Sequence, residues 1–349
     1  MLSTVAPGGS GPWMGGWPGA PGLYPPSMTQ TTAATSPNVE TRRETSWTWF
    51  NGGICRYSDA KVGLLTHGLN YGTGVFEGIR AYWNEEREQL YTLRPAEHFD
   101  RLRVNARILQ MEVPLSTPEL CDITRELLRR NEYREDVYVR PLIFKSAEII
   151  GVKLHDVPES FAICTAPMGA YVGTGGIRCL VSSWRRVDDT MMPARAKCTG
   201  VYVNSALAKS EALQAGFDEA ILLTMDGHVC EGSAENIFIV RQGTLYTPPP
   251  SDNILEGITR QGIMHLVREE LGLEVVERSI DRTELYVADE VFLCGTGAQV
   301  APVIDIDRRR VGDGEPGPIT MRVQDLYNSV VTGRVDKYAE WLSPVYGQS

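Results

Sequence analysis

Residues 166–176 read Ala-Pro-Met-Gly-Ala-Tyr-Val-Gly-Thr-Gly-Gly, and they restrict the folds open to this chain more than any other stretch. Proline and glycine concentrate there between two apolar, β-branched runs, 160–165 and 177–184. A chain of 349 residues is too long for one ordinary core. The break therefore reads as a loop joining two domains, a smaller one at 46–165 and a larger one at 177–349.

Both halves mix the two periodicities. Alternating apolar residues before Asn51-Gly52 predict a strand and hairpin, and 71–82 reads as a strand interrupted by Gly72, Gly74 and Gly78. Pro95 opens a helix through Leu109, and 117–130 is a second helix with Leu120, Ile123, Leu127 and Leu128 on one face. Strands are expected at 136–144 and 160–165, then at 177–184, 220–223, 237–240, 245–247 and 291–294. Helices are expected at 204–214 and 259–271, each followed by a glycine, with a short one between Ser279 and Glu284. Interleaved elements with hairpins give an α/β chain of the α+β kind, in two domains.

Composition excludes several classes. An apolar content of 42% and a charged content of 22% are ordinary for a globular protein. A net charge of −10 argues against nucleic acid as a partner, and no apolar run reaches the ~18 residues of a membrane span. The seven cysteines show no CxxC and no Cys/His spacing for zinc, so they read as reduced thiols of a cytoplasmic protein with no metal site. Residues 1–45, rich in Gly, Pro, Ser and Thr, lack the pattern of a signal peptide and read as a disordered tail.

Two segments carry the chemistry. Lys197 lies in Ala-Lys-Cys-Thr-Gly-Val-Tyr-Val-Asn-Ser (196–205), among small, apolar and hydroxyl residues. A lone lysine there is either solvated or, in an apolar site, a neutral amine able to form a Schiff base. Glu231 follows Cys230 in a Gly/Ser turn, 231–236, and is either a solvated turn carboxylate or a buried anion for a cationic partner. Glu256-Gly257-Ile258-Thr259 and Gly295-Thr296-Gly297-Ala298 could each open a helix and expose N–H groups to an anion, or be ordinary capped starts. Period two puts Tyr138 and Arg140 on one strand face, where the arginine needs an anion or an ion-pair partner.

Together, Ala-Lys-x-x-Gly-x-Tyr-x-Asn-Ser (196–205), Glu-Gly-Ser-Ala-Glu-Asn-Ile-Phe (231–238), His-x-x-Arg-Leu (98–102) and Tyr-Gly-Thr-Gly-Val-Phe-Glu-Gly (71–78) resemble the fold-type IV pyridoxal-phosphate aminotransferases, the branched-chain-amino-acid aminotransferases in particular, from 46 to about 333. The resemblance implies pyridoxal 5'-phosphate at the domain interface and Lys197 as the catalytic amine. It implies Tyr202 beside the ring, Glu231 facing the pyridine nitrogen, and Arg101, Gly257, Ile258, Thr259 and Thr296 around the phosphate. It assigns the substrate to Tyr71, Phe76, Tyr138, Arg140, Ile150, Val152, Tyr171, Gly297 and Ala298, some of them across a dimer interface.

The implied reaction moves the amino group of L-Leu, L-Ile or L-Val to 2-oxoglutarate in a homo-oligomer, a dimer or a dimer-based hexamer. Relatives of the same fold remain alternatives, namely (R)-selective amine and D-amino acid aminotransferases and aminodeoxychorismate lyase. So does a non-enzymatic anion-binding module. Departures at Met168, Cys198-Thr199 and Gln299 bear on substrate scope.

Overall fold

The computed structural model describes residues 45–169 and 175–347, so the expected tail and Tyr171 lie outside the described residues. The first sheet contains β1 (Trp47–Phe50), β2 (Gly53–Arg56), β3 (Gly74–Phe76), β4 (Ile79–Asn84), β5 (Gln89–Leu93), β6 (Val137–Lys145) and β7 (Glu159–Pro167). Its main path runs β5-β4-β6-β7-β1-β2, all antiparallel, with β3 on β6. A late strand, Leu342–Pro344, adds antiparallel to β5. The chain thus returns to the first sheet, although the sequence reading gave all of 177–349 to the second domain.

Three helices accompany this sheet: α1 (His67–Tyr71), α2 (Pro95–Ile108) and α3 (Thr117–Arg130). Tyr71, expected on a strand, ends α1. Gly72 then turns the chain at φ +64°, a conformation that costs glycine little. Ser116 and Glu119 form a reciprocal capping box that starts α3 where the sequence places it. Phe99, Leu102 and Ala106 of α2 and Leu120, Leu127 and Leu128 of α3 bury against Val137, Val139 and Ile143 of β6.

The second sheet has β8 (Ile177–Arg185), β9 (Glu219–Leu223), β10 (Val229–Gly232), β11 (Asn236–Arg241), β12 (Thr244–Thr247), β13 (Val275–Glu277), β14 (Glu290–Gly295), β15 (Gln299–Ile306) and β16 (Arg309–Arg310). Its main path is β10-β9-β8-β15-β14-β11-β12-β13, parallel at β9/β8, β8/β15 and β12/β13. Alternation sends side chains of one strand to two cores. Phe238 and Phe292 meet α5 (Ile258–Leu271) and α6 (Pro318–Val331), while Ile237, Ile239 and Leu293 enter a separate cluster. Ala208 and Ala212 of α4 (Tyr202–Gln214) pack on Ala220 and Leu222. The sequence reading did not assign α6.

Candidate active site

Lys197 is placed by pairing between the two halves of the molecule. Its segment lies antiparallel to β3: the Phe76 N–H donates to the Lys197 carbonyl at 3.1 Å, the Thr199 N–H to Gly74 O at 2.9 Å, and the Gly200 N–H to Gly72 O at 3.1 Å. Thr199 Oγ1 adds a bond to Gly72 O at 2.7 Å. The approach is close enough that a Cβ on Gly72 would sit 2.7 Å from the Gly200 Cα. Nζ of Lys197 donates to Tyr202 Oη at 2.6 Å, and the Tyr202 ring packs on Phe76 at 4.9 Å. Cys198 points into the core, where burial pushes its thiol up to about 12, so it is an inert apolar filler.

Glu231 does not sit on a turn, as its Gly/Ser neighbours suggested; it belongs to strand β10. Its carboxylate is buried, meets Arg186 Nη2 at 2.9 Å, and accepts from the Leu255 N–H and Asn236 Nδ2, both at 3.0 Å. Burial pushes its pKa up; the Arg186 charge and the Leu255 N–H pull the other way. A guanidinium thus faces a desolvated carboxyl and favours its charged form against burial.

Gly257 caps the N-terminus of α5, so the Ile258 and Thr259 N–H groups fall in the first turn, which has no intrahelical acceptors. Arg101 reaches the same place. Its Nη1 donates to Glu256 O at 2.7 Å, and its Nε and Nη2 grip Glu77 at 2.7 and 2.8 Å. His98 Nδ1 meets Glu77 at 2.8 Å. Burial alone would raise the Glu77 carboxyl, but the Arg101 charge and the bonds from His98 and Arg101 outweigh it and hold it near 2. Burial lowers His98, so a neutral ring donating to Glu77 fits the geometry.

The second anion motif is different from the helix start expected of it. Thr296, Gly297 and Ala298 form the turn between β14 and β15, with Gly295 opposite Gln299. A hairpin turn, not a helix, therefore presents this backbone. Tyr138 and Arg140 share a face of β6 as expected, with Arg140 Nη2 donating to Tyr138 Oη at 3.0 Å and its guanidinium 4.3 Å from the Phe76 ring centre.

One cavity of about 400 Å³ is lined by Phe76, Arg101, Tyr138, Arg140, Lys197, Tyr202, Glu231, Gly257, Ile258, Thr259, Thr296, Gly297 and Ala298. It thus collects an amine, a buried carboxylate, a helix N-terminus with an arginine, and a second arginine beside an aromatic ring.

Residues 74–306 match the family described as amino-transferase class IV. A probable branched-chain-amino-acid aminotransferase of Aquifex aeolicus is 52% identical over 299 residues, which cover 85% of this chain and 96% of that protein. The chain belongs to the class IV aminotransferases. Its fold matches the branched-chain aminotransferase of Thermoproteus uzoniensis, solved with norvaline, at 46% identity and a TM-score of 0.83, covering 86% of this chain and 99% of that one. It also matches the branched-chain amino acid aminotransferase of Thermobaculum terrenum, solved in its PLP-bound holo form, at 39% identity and a TM-score of 0.83, covering 87% and 100%. The architecture is that of the fold-type IV aminotransferases.

Three residues expected at an aminotransferase substrate pocket do not line this cavity. Tyr71, Ile150 and Val152 lie on the surface, Ile150 86% and Val152 76% exposed, with Tyr71 Oη accepting from the Gly151 N–H at 3.2 Å. Sequence reasoning did not assign Glu77, Arg80 or Arg186, and it read Glu235 as a structural residue of its turn. All are buried, and Arg186 and Glu235 line the cavity. Glu77 stands inside the 71–78 motif that marked the N-terminal half and Arg80 two residues beyond it, which is the one local signal for them.

Proposed function

We propose that this chain is a branched-chain-amino-acid aminotransferase, exchanging the amino group of L-Leu, L-Ile or L-Val with 2-oxoglutarate to give the 2-oxo acid and L-glutamate. The observation that carries the reading is the convergence of Lys197, Glu231, Arg101 and the α5 N-terminus on one cavity that Arg140 and Tyr138 also reach. The donor set fits pyridoxal 5'-phosphate: an amine for its aldehyde, a carboxylate for its ring nitrogen, and N–H groups with a guanidinium for its phosphate. Bound here, the cofactor supplies the carbonyl that captures an amine and a ring that accepts the electron pair released at the substrate Cα.

Lys197 Nζ would take the Cα proton and return it two bonds away, to the carbon that carried the aldehyde oxygen, and Tyr202 Oη, 2.6 Å off, holds the amine in line for both. Glu231 would place a carboxylate beside the ring nitrogen, and the Arg186 guanidinium favours its ionised form. Gly257, Ile258, Thr259, Arg101 and Thr296 hold the phosphate. The backbone at Gly297 and Ala298 takes the substrate α-carboxylate. Phe76 supports an apolar side chain, and Arg140 with Tyr138 reads the distal carboxylate of glutamate, so one cavity can serve both substrates in turn. Tyr171 belongs to the same proposed pocket.

Tyr71, Ile150 and Val152 are exposed, as are Leu64, at 85%, and Leu69 in the segment leading to Tyr71, and the bond from the Gly151 N–H to Tyr71 Oη brings the two segments into one apolar face. That face supports a homodimer, or a dimer-based hexamer, in which these three residues serve the neighbouring pocket. We place the enzyme in the cytoplasm as two domains, 46–165 and 177–349, joined by 166–176. The described cysteines are unpaired, and no described helix is long and apolar enough to cross a membrane. Turnover of L-leucine, D-alanine and (R)-1-phenylethylamine with 2-oxoglutarate tests the reading: L-leucine should be consumed, and an enzyme that ignores all three branched-chain amino acids refutes it. Lys197→Ala should fold, bind the cofactor without covalent attachment and lose turnover.

A further inference from the structure

Arg80 is the largest of the fully buried side chains, only 1% exposed, and does not line the cavity. It stands on β4, in the first sheet, yet its fork reaches two other parts of the chain. Nη2 donates to the carbonyls of Met168 and Gly169, both at 2.7 Å, and meets Asp136 Oδ2 at 3.3 Å. Nη1 donates to Gly297 O at 3.2 Å, in the β14–β15 turn of the second sheet. Asp136 is itself fixed, since its Oδ1 accepts from the Trp83 N–H at 2.9 Å and its carbonyl from the Met168 N–H at 2.9 Å.

One cation therefore ties a strand of one sheet, the chain leaving that sheet, and a turn of the other. Burial of an arginine is costly unless its donors are met; Nη1 and Nη2 find three carbonyls and one carboxylate while Nε is buried without a partner, so the cation depends on these acceptors keeping their relative position. Two of those acceptors adjoin cavity-lining groups: Met168 is a lining side chain, and Gly297 lies between Thr296 and Ala298. A Cβ on Gly297 would find the Met168 methyl 3.6 Å away, so the two held segments also pack on each other.

We propose that Arg80 is a positioning residue for substrate recognition: it locks the 296–298 turn and Met168 into one rigid wall and so sets the carboxylate-binding backbone against the side-chain pocket. The proposal rests on the aminotransferase reading. It assigns Arg80 no contact with substrate or cofactor.

A lysine at 80 keeps the charge facing Asp136, but its single nitrogen cannot also span to Gly297 as the guanidinium fork does. Steady-state kinetics of the cofactor-loaded Arg80→Lys variant should show KM for L-leucine and for 2-oxoglutarate raised about tenfold, the order expected for losing one charge-assisted bond, with kcat within about threefold of the parent. The cofactor absorption band and the concentration of pyridoxal phosphate giving half-maximal activity should not move. A merely structural role would lower kcat and cofactor retention together, and that result overturns the proposal, as does an unchanged KM. Asp136→Asn is the second arm, since it keeps the shape and the Trp83 contact but removes the charge holding Arg80. It should raise the same two KM values in the same direction; should Arg80→Lys not fold, unchanged KM values in Asp136→Asn overturn the proposal. Failure of the parent enzyme to turn over L-leucine refutes the functional reading instead.

Discussion

Replacing Arg186 by Met tests the physical logic of the site most directly. The parent pair is buried on both sides, each side chain about 6% exposed, at 2.9 Å. Removing one member of a buried pair costs about 3–5 kcal/mol, because the other charge is left uncompensated. Glu231 can limit that cost by binding a proton. Its carboxyl is already raised by burial, and Arg186 is the largest opposing influence, so the variant should raise it further. The sign follows from proton counts. A carboxyl raised in the folded state binds more protons there than in the unfolded chain. Its contribution to stability is best below the unfolded value of about 4.5 and falls as pH climbs towards the folded value. In Arg186→Met that decline should continue to higher pH than in the parent.

Activity should run the opposite way. The ring nitrogen needs an ionised Glu231, so kcat of Arg186→Met should be low near neutrality and recover as pH rises. Urea unfolding of the cofactor-free protein and kcat, both followed from pH 5 to 9 (a working range of about four units), provide the assay. A stability loss under about 1 kcal/mol, or a kcat profile parallel to the parent's, would refute the claim that Arg186 keeps Glu231 charged.

Three further outcomes are expected. Glu77 is held near 2, so its pairing stabilises the fold above its unfolded value of 4.5 and is lost as pH falls from there towards 2; Glu77→Gln should remove on the order of 3 kcal/mol at pH 7 and flatten that acid limb in urea titrations. Arg140→Met should raise KM for 2-oxoglutarate by about tenfold or more while changing KM for L-leucine far less; equal shifts for both would remove Arg140 from distal-carboxylate recognition. Gly72→Ala combines a φ of +64° with a Cβ 2.7 Å from the Gly200 Cα, so it should lose at least about 1–3 kcal/mol and perturb cofactor binding by displacing the Lys197 segment; wild-type Tm and cofactor affinity would contradict this.

Local patterns carried the reading far where the physics is local. The α3 boundaries at Thr117 and Arg130 follow from a capping box and a 3.6-residue apolar stripe, both written in adjacent residues. Gly257 and Gly272 bracket α5 for the same reason. The Gly-Thr similarity between 257–259 and 295–298 misled, because a glycine before a threonine suits a helix start and a β-turn alike; the antiparallel partner that decides between them, β15, is recognised only by its pairing. Glu231 was read as a turn for a similar reason. Its Arg186 counterion is 45 residues away in the chain, and Arg80 reaches 217 residues to Gly297. No window of sequence contains such pairs, so the site's charged scaffold became visible only in three dimensions. Of the residues that the resemblance assigned to the substrate, Phe76, Tyr138 and Arg140 share a cavity, whereas Tyr71, Ile150 and Val152 face outward, as residues expected to act across a dimer interface can.

The strand Leu342–Pro344 bears on how the molecule comes into being. It hydrogen-bonds to β5, and the Arg94 N–H donates to the Trp341 carbonyl at 2.7 Å, one residue before α2 begins. The helix that carries Arg101 is therefore moored by a segment synthesised some 240 residues later. During translation Lys197 leaves the ribosome well before that mooring exists, as do Arg186 and Glu231. The Glu77 and Glu256 contacts of Arg101 and the helix start after Gly257 are also synthesised earlier, so the late strand adds a tether behind a site whose parts are already made. A variant that breaks this pairing should hold the helix carrying Arg101 less firmly and retain the cofactor less well than the parent on dialysis, and equal retention would show that the tether is dispensable.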